Sequence, residues 1–282
     1  MNIAVLGGGG VGAYIAAKLS RVCDVDLISD LTKEILLKEQ SNITRYDVST
    51  YTIPPQEKRY DVVIIATKSN VLLQKLEKMK KNIDKKSIIL PLLNGIQPYM
   101  LLKKHLPSIV IPGAVYIISN KQDDGTIEVK GKGAMVVFED INETTHALKE
   151  CFEKAGIKTK TPKNIMQAIW QKYLFIAATA ALTTYYHKTF GEIATKHIDE
   201  FQALLEEIAQ IARNENVELH EEDIQKAITL LRKSPANAKT SLQLDFEKGQ
   251  SGELDNLLGY LAQKMPSGKI ASIYKKLLEL IA

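Results

Sequence analysis

The sequence predicts an α/β protein in which a doubly wound parallel sheet is followed by an all-helical domain. Three observations predict this fold class: strand and helix signals alternate in the first part, a glycine cluster follows the first apolar run, and the segments after Pro162 all have helical spacing. Alternation of strands and helices is typical of a parallel sheet covered by helices. We therefore expect two domains, covering residues 1–162 and 163–282.

The strands predicted for the first domain are short and apolar. They cover residues 2–6, 25–29, 61–67, 87–93 and 110–118, with helices over 11–19 and 70–81. The run 61–67 (DVVIIAT) is apolar almost throughout, as in a parallel strand that is covered on both faces. Only residues 31–59 separate the second strand from the next strong one, so we expect the first half of the sheet to be trimmed.

Near residue 120 the pattern becomes antiparallel. Asp123-Asp124-Gly125 is a turn signal, and strands over 126–130 and 134–139 flank Gly131 and Gly133, which predicts a hairpin. A helix over 143–155 and a strand over 157–161 complete the first domain. The second domain is predicted to contain helices over 165–182, 198–215, 221–233, 243–248, 254–265 and 272–281.

Composition excludes several classes of protein. With 45% hydrophobic and 25% charged residues, the chain is not intrinsically disordered. A net charge of +4 suits an anionic small molecule but is too weak for nucleic-acid binding. The most apolar stretch, 173–182, is shorter than the about 20 residues that a membrane span needs. Cys23 and Cys151 form neither a disulfide framework nor a metal site, so we expect reduced thiols in a cytoplasmic protein.

The glycine cluster matches the dinucleotide-binding fingerprint of Rossmann folds. G-x-G-x-x-G follows a predicted strand and opens a predicted helix, which is the context that this motif requires. Its glycines permit the tight turn, the approach of the backbone to a pyrophosphate and close helix packing. The N–H groups at the helix start bind phosphate. We expect the cofactor to contact Gly7, Gly8, Gly9, Gly10, Val11 and Gly12.

Asp30 follows the second predicted strand, where the fingerprint places an acidic residue about 20 positions after the glycines. Its carboxylate would accept hydrogen bonds from the adenosine ribose, and the 2′-phosphate of NADP would meet like charge there. Asp30 therefore favours NAD. The alternative is that Asp30 caps the helix that follows, since Asp is a good N-cap.

Several separated motifs carry a resemblance to a known family. Besides the glycine segment they are Ala66-Thr67-Lys68, Leu93-Asn94-Gly95-Ile96, the glycines of the hairpin, Ile169-Trp170-Gln171-Lys172-Tyr173-Leu174, Thr240-Ser241-Leu242-Gln243-Leu244-Asp245 and Gly252-Glu253-Leu254-Asp255-Asn256-Leu257-Leu258-Gly259. Together they resemble the ketopantoate reductase (2-dehydropantoate 2-reductase) family from end to end. The tryptophan–lysine helix and the Gly-Glu-Leu-Asp segment are the most specific of these motifs.

The resemblance implies roles for five polar residues. Lys172 matches the general acid that protonates the substrate carbonyl, and Glu253 matches the carboxylate that binds substrate and orients this lysine. Asn94 matches the residue that places nicotinamide and substrate, Ser241 matches a substrate-binding serine, and Lys68 matches a lysine near the cofactor. Four of the five have a structural alternative: a solvated helix side chain for Lys172, a helix-terminal acid for Glu253, turn chemistry for Asn94 and a helix cap for Ser241.

Three features depart from the family pattern, and the third is the trimmed first half of the sheet described above. In the family, asparagines follow the catalytic lysine at four and eight residues, where this chain has Ile176 and Ala180. Thr179 lies about two helical turns after Lys172 and so on nearly the same face of the helix. We therefore expect Thr179 to bind substrate in place of the two asparagines, and Thr183 is a further polar group nearby. The family usually binds NADP, often through an arginine where this chain has Asp30.

The sequence thus predicts an oxidoreductase that transfers hydride from NAD or NADP to C2 of a 2-oxo acid. The substrate that the resemblance favours is 2-dehydropantoate, which is reduced in pantothenate and coenzyme A biosynthesis. The alternative enzyme is an NAD-dependent D-2-hydroxyacid dehydrogenase that acts on an apolar branched or aromatic 2-oxo acid. A non-catalytic nucleotide-binding sensor is the alternative of another class, and Lys172 and Glu253 count against it. The expected partner is the small-molecule 2-oxo acid. We expect no binding to nucleic acid or membranes, and the sequence leaves open whether the protein forms a homodimer.

We predict that the protein binds NADH more tightly than NADPH, because Asp30 repels a 2′-phosphate. Asp30→Arg should narrow or reverse this difference, and Asp30→Asn, which removes only the charge, should lie between. Fluorescence titration with both cofactors measures the affinities. Equal affinity of the native protein for the two cofactors would contradict the ribose role.

Overall fold

The computed structural model describes residues 1–30 and 34–281. The chain folds into two compact units. Unit 1 comprises Met1–Leu93 and Pro98–Ile165, and unit 2 comprises Asn94–Gln97 and Met166–Ala282. The domain limits expected from the sequence, 1–162 and 163–282, stay a prediction.

Unit 1 contains two β-sheets. In chain order its strands are β1 (Asn2–Leu6), β2 (Asp24–Ile28), β3 (Glu34–Glu39), β4 (Asn42–Asp47), β5 (Ser49–Tyr51), β6 (Val62–Ile65), β7 (Ile88–Pro91), β8 (Ile109–Val110), β9 (Gly113–Lys121), β10 (Ile127–Phe138) and β11 (Lys158–Lys160). Six of them form a wholly parallel sheet in the order β5-β2-β1-β6-β7-β8. The others form a mixed sheet in the order β11-β10-β3-β4, with β9 antiparallel to β10.

Apolar clusters cover both faces of the parallel sheet. Side chains alternate along a strand, so Ile3 and Val5 of β1 face one cluster while Ala4 and Leu6 face the other. The first cluster includes α1 (Gly10–Leu19) and, further along the chain, α4 (Glu143–Lys154), and the second includes α2 (Leu72–Glu77) and α3 (Gln97–His105). The predicted doubly wound parallel sheet is confirmed.

The prediction of a trimmed sheet half is wrong. Residues 34–51 form β3, β4 and β5, and β5 adds an edge strand beside β2. These strands carry no long apolar run: β4 is largely exposed, and β3 buries Ile35 and Leu37 but leaves Leu36 between them exposed. Sheet pairing, and not local hydrophobicity, therefore fixes them. Residues 31–33, where this stretch starts, lie outside the described residues.

The predicted hairpin is also wrong. Residues 127–138 form the single strand β10, whose antiparallel partner is β9, across the turn that contains Gly125. Gly131 and Gly133 have φ of +82° and +88° and lie where the pairing register shifts between Lys130 and Met135. They mark a bulge within one strand, which the sequence pattern does not distinguish from a turn.

Cys23 and Cys151 form a disulfide, so the expectation of two reduced thiols is wrong. Both residues pack against the apolar cluster on the α1 side of the parallel sheet. Their Cα atoms are 6.7 Å apart although 128 positions separate them in sequence. Such a spacing carries no signal of proximity, because the fold alone brings the two segments together.

Unit 2 is helical in its described part, as predicted. Its elements are α5 (Ile165–Tyr186), α6 (Phe190–Lys196), α7 (Ile198–Asn214), α8 (Glu221–Lys233), α9 (Ser241–Phe246), a π-helical turn (Asp255–Gly259), α10 (Tyr260–Lys264) and α11 (Lys269–Glu279). Helix α6 is not among the predicted helices, because it has only seven residues and depends on a capping box between Thr189 and Glu192. None of the helices in the described ranges is long and apolar enough to cross a membrane.

Candidate active site

The glycine segment connects β1 to α1 in a conformation that excludes side chains at two positions. Gly7 has φ of +112°, and a Cβ there would lie 2.7 Å from the carbonyl oxygen of Ala66. A Cβ on Gly12 would collide with the carbonyl oxygen of Gly7. The motif therefore needs glycine for backbone reasons, as its turn and packing roles require.

The start of α1 fits a dinucleotide phosphate. Apart from its two chain neighbours, no heavy atom of the described residues would come within 4 Å of a Cβ on Gly9, the exposed N-cap of α1. The first N–H groups of a helix have no partner inside the helix and carry the positive end of its dipole. The open surface at Gly9 lets a phosphate reach these groups.

Asp30 and Lys68 lie at the same edge of the sheet as the glycine segment. Both are exposed, and they follow the carboxyl ends of β2 and β6, the two strands that flank β1. Ligands of open α/β sheets bind outside the carboxyl ends of the strands. The alternative for Asp30, a helix N-cap, depends on residues 31–33, which are outside the described ranges, and Glu34 already belongs to β3.

Ser119 of β9 lies beside the start of α1 and was missed by the sequence analysis. A Cβ on Gly10 would lie 2.6 Å from the Ser119 carbonyl oxygen and 3.0 Å from its Oγ. This Oγ is buried and has no hydrogen-bond partner among the described residues. No sequence signal marks Ser119, because only the folding of β9 against α1 brings it to the glycine segment.

Lys172 lies on α5 and contacts Asn94. Its Nζ donates a hydrogen bond to Asn94 Oδ1 at 3.0 Å. Burial lowers the pKa of Lys172 to about 8, against the opposing effect of the negative charge of Glu253. An amine with this pKa gives up and takes back a proton near neutral pH, unlike a solvated helix lysine.

The Asn94–Gly95 turn is tied to the π-helical turn. Asn256 Nδ2 donates to the Asn94 carbonyl oxygen at 2.7 Å, and Asn256 is only 2% exposed. Gly95 has φ of +82°, and a Cβ there would lie 3.2 Å from the Asn256 carbonyl oxygen. No role is predicted for Asn256 from the sequence, although an amide directly before two leucines is a signal that could have marked it.

Tyr173, the neighbour of Lys172, connects α5 to the same turn. Its hydroxyl donates to the Leu257 carbonyl oxygen at 2.8 Å, and its ring packs against Trp170 with 5.5 Å between centroids. Both aromatic residues are 1% exposed. The part of α5 that carries Lys172 is therefore held on one side by aromatic packing and by a backbone hydrogen bond.

The structure places the expected substrate-binding residues on two helices. Thr179 is buried and donates its hydroxyl proton within α5 to the Phe175 carbonyl oxygen at 2.7 Å, so it is left to act as an acceptor. Ser241 is exposed at the start of α9, where Thr240 is the N-cap that accepts from Gln243 N. The cap alternative for Ser241 is therefore wrong. Thr183 bonds to Thr240 across the two helices at 2.8 Å between their Oγ1 atoms.

The parallel sheet and the glycine segment shaped for a dinucleotide phosphate define a dinucleotide-binding protein with a Rossmann fold. Comparison with known proteins narrows this class. The family "Ketopantoate reductase PanE/ApbA" matches residues 3–141, and "Ketopantoate reductase PanE/ApbA C terminal" matches residues 164–281. The chain belongs to this family of NAD(P)-dependent oxidoreductases.

Relatives and solved structures agree with this assignment. The uncharacterized oxidoreductase YkpB of Bacillus subtilis is 30% identical over 278 residues, covering 94% of this chain and 92% of the relative. A 2-dehydropantoate 2-reductase of Streptococcus pyogenes serotype M18 is 23% identical, covering 94% and 91%. A PanE/ApbA family ketopantoate reductase structure from Ralstonia eutropha JMP134 has a TM-score of 0.89 at 23% identity, covering 100% and 98%. A D-mandelate dehydrogenase structure with NADH and anilino(oxo)acetate has a TM-score of 0.86 at 19% identity, covering 100% and 97%.

We predict that Lys172→Met raises the free energy of unfolding at pH 7 by about 3 kcal/mol, at 1.36 kcal/mol per pKa unit. The folded-state pKa of about 8 lies below the ordinary 10.5, so the unfolded chain binds more protons between these values. The native protein therefore gains stability from this group as pH rises from about 8 to 10.5, and the advantage of the variant shrinks over the same range. Urea unfolding of both proteins at pH 7 and pH 10 measures the difference in their free energies of unfolding.

Lys264→Met is the matched control. Lys264 pairs with Glu215 at 2.5 Å, and this hydrogen bond raises the pKa of Lys264. Its removal should be neutral or destabilising at pH 7. A loss of stability in Lys172→Met at pH 7 would show that burial does not penalise the Lys172 ammonium group.

Proposed function

We propose that this protein reduces the C2 carbonyl of a 2-oxo acid with NAD(P)H, and that 2-dehydropantoate is its substrate in the route to pantothenate and coenzyme A. The observation that carries the proposal is the pair of Lys172 and Asn94. It combines a proton donor active near neutral pH with a side chain that fixes the position of the donor. The Streptococcus relative named 2-dehydropantoate 2-reductase supports this substrate.

The residues of unit 2 perform the proton transfer in this proposal. Lys172, protonated in most molecules at pH 7, gives a proton to the carbonyl oxygen at C2 as that oxygen becomes an alkoxide. Asn94 Oδ1 accepts one N–H of the ammonium group and so limits its direction. The charge of Glu253 favours the protonated form and offsets part of the effect of burial. The bound cofactor supplies the hydride.

The glycine segment holds the cofactor phosphates in this proposal. The first N–H groups of α1 bind the pyrophosphate, and Asp30 accepts hydrogen bonds from the ribose of NAD. Lys68 lies at the same edge of the sheet, where it attracts the negative charge of the cofactor. We therefore propose NAD as the preferred cofactor in a family that usually binds NADP.

A steady-state panel of 2-oxo acids with NADH and NADPH tests this function. We predict that Lys172→Ala lowers kcat by roughly 10²–10⁴-fold, the usual contribution of a general acid, and leaves cofactor affinity nearly unchanged. Lys163→Ala, which removes an exposed lysine, should change neither quantity. Full turnover in Lys172→Ala would refute the assignment of the proton donor, and a native protein inactive on every 2-oxo acid would refute the function.

A specific observation supports a second candidate, a D-2-hydroxyacid dehydrogenase for apolar substrates. Ile176 and Ala180 follow Lys172 by about one and two helical turns, and Ala180 is 2% exposed. Neither side chain can pair a substrate hydroxyl, but both can pack against an alkyl or aryl group, at about 25 cal/mol per Å² buried. The similarity of the fold to that of the D-mandelate dehydrogenase structure supports this candidate.

For this candidate we predict that kcat/KM with branched or aromatic 2-oxo acids equals or exceeds that with 2-dehydropantoate. Ile176→Asn with Ala180→Asn should shift the preference toward 2-dehydropantoate by about tenfold or more, because a paired hydroxyl contributes about 1–3 kcal/mol. Thermal unfolding must first show that the variant is folded, since a buried unpaired amide is costly. A strong native preference for 2-dehydropantoate would exclude this candidate.

A further inference from the structure

The position of Asn94 depends on two contacts of different kinds. Its side chain accepts the hydrogen bond from Lys172 Nζ, while its backbone carbonyl accepts the hydrogen bond from Asn256 Nδ2 at 2.7 Å. Asn94 and its neighbour Gly95 lie in a segment without regular secondary structure, between β7 and α3. Such a segment has no ladder or helix to fix its backbone, so the side chain of Asn256 supplies the constraint.

The orientation of the Asn256 amide follows from its partner. A carbonyl oxygen can only accept, so the atom that faces Asn94 O must be the amide nitrogen. The amide oxygen, Oδ1, is then buried with no hydrogen-bond partner among the described residues. Keeping a buried amide with only part of its hydrogen bonds made is unfavourable for the fold alone. The residue thus contributes little to stability that an apolar side chain of the same size would not.

We propose that Asn256 is a positioning residue that acts on Lys172 through Asn94. This inference rests on the proposed function, in which Lys172 donates the proton. By holding the Asn94 backbone, Asn256 keeps the Asn94 Oδ1 atom at hydrogen-bond distance from Lys172 Nζ. Asn256 belongs to the π-helical turn and contacts the Asn94–Gly95 turn from there. The residue after it, Leu257, accepts a hydrogen bond from the hydroxyl of Tyr173, the neighbour of Lys172.

The consequence for Lys172 has a definite sign. The Asn94 oxygen stabilises the ammonium form of Lys172, since a hydrogen bond to the charged form favours it. If the backbone of Asn94 is no longer held while the surroundings of Lys172 stay apolar, the hydrogen bond from Lys172 to Asn94 weakens. Burial of the ammonium group is then offset less. The pKa of Lys172 should move further down, and a smaller fraction of the enzyme should carry the proton at neutral pH.

The test is Asn256→Leu, which removes the amide and keeps a side chain of similar size. The protein is labelled with [ε-¹³C]lysine, the signal of Lys172 is identified by its absence in Lys172→Arg, and its pKa is read by NMR titration. We expect a fall of roughly half to one pKa unit in Asn256→Leu, as part of a hydrogen bond to a charged group is lost. The alkaline limb of the kcat/KM profile should move down by the same amount, with the KM for the cofactor little changed.

Asn82→Leu is the matched control. Asn82 is also 2% exposed and also donates its amide to backbone carbonyl oxygens, those of Pro55 and Lys58, but it belongs to unit 1. Asn82→Leu should leave the titration of Lys172 where it is, whatever its effect on stability. An unchanged Lys172 pKa in folded Asn256→Leu would overturn the proposal and leave Asn256 as a structural residue.

A second measurement covers the case in which Asn256→Leu does not fold. In the native protein, the ¹⁵N side-chain signals of Asn94 and Asn256 should both follow the titration of Lys172, and this dependence should vanish in Lys172→Met. Independence of the Asn256 signal from Lys172 would overturn the proposal. Both NMR experiments need no substrate, so their failure is separate from a failure of the proposed reaction.

Discussion

The withdrawal of one ammonium group from water constrains the arrangement of unit 2. Lys172 loses hydration on α5, and the chain compensates with the amide oxygen of Asn94 and the negative charge of Glu253. These two residues come from segments far apart in sequence, so their convergence requires α5 and the π-helical turn to hold fixed positions. The aromatic packing of Trp170 and the Tyr173–Leu257 hydrogen bond provide this rigidity. The compensation is partial, which is why the pKa of Lys172 stays below that of an ordinary lysine.

Unit 1 is constrained by close approach of backbone segments instead. Gly7 and Gly12 lie so near the neighbouring backbone that a methyl group does not fit, and Gly10 meets Ser119 in the same way. This packing fixes the direction in which α1 leaves the sheet. The two units therefore fix the positions of their candidate site residues by different physical means. Steric exclusion acts in the glycine segment of unit 1, and electrostatics acts around Lys172 in unit 2.

Local patterns in the sequence predict what depends on local physics. The buried strand β6, the glycine loop and the long helices α7 and α8 follow from apolar runs, motif spacing and amphipathic periodicity. Strands β3 to β5, the disulfide and the partnership of Asn94 with Asn256 depend on contacts between distant segments, and no periodicity records them. Lys172 itself stands out only through the resemblance of its helix to a family motif. Its burial and its partner become visible only when the chain is folded.

The Cys23–Cys151 disulfide gives the unfolded chain an unusual topology. It closes the residues between the two cysteines into a covalent ring that contains β2 to β10, whereas residues 1–22 and 152–282 remain as two open tails. Both sheets have most of their strands on the ring, and α5 with Lys172 is on the longer tail. The ring restricts the random-coil freedom of the first unit and leaves that of the helical tail almost unaltered. The hydrogen bond between Asn94 and Lys172 therefore joins a residue on the ring to a residue on the longer tail.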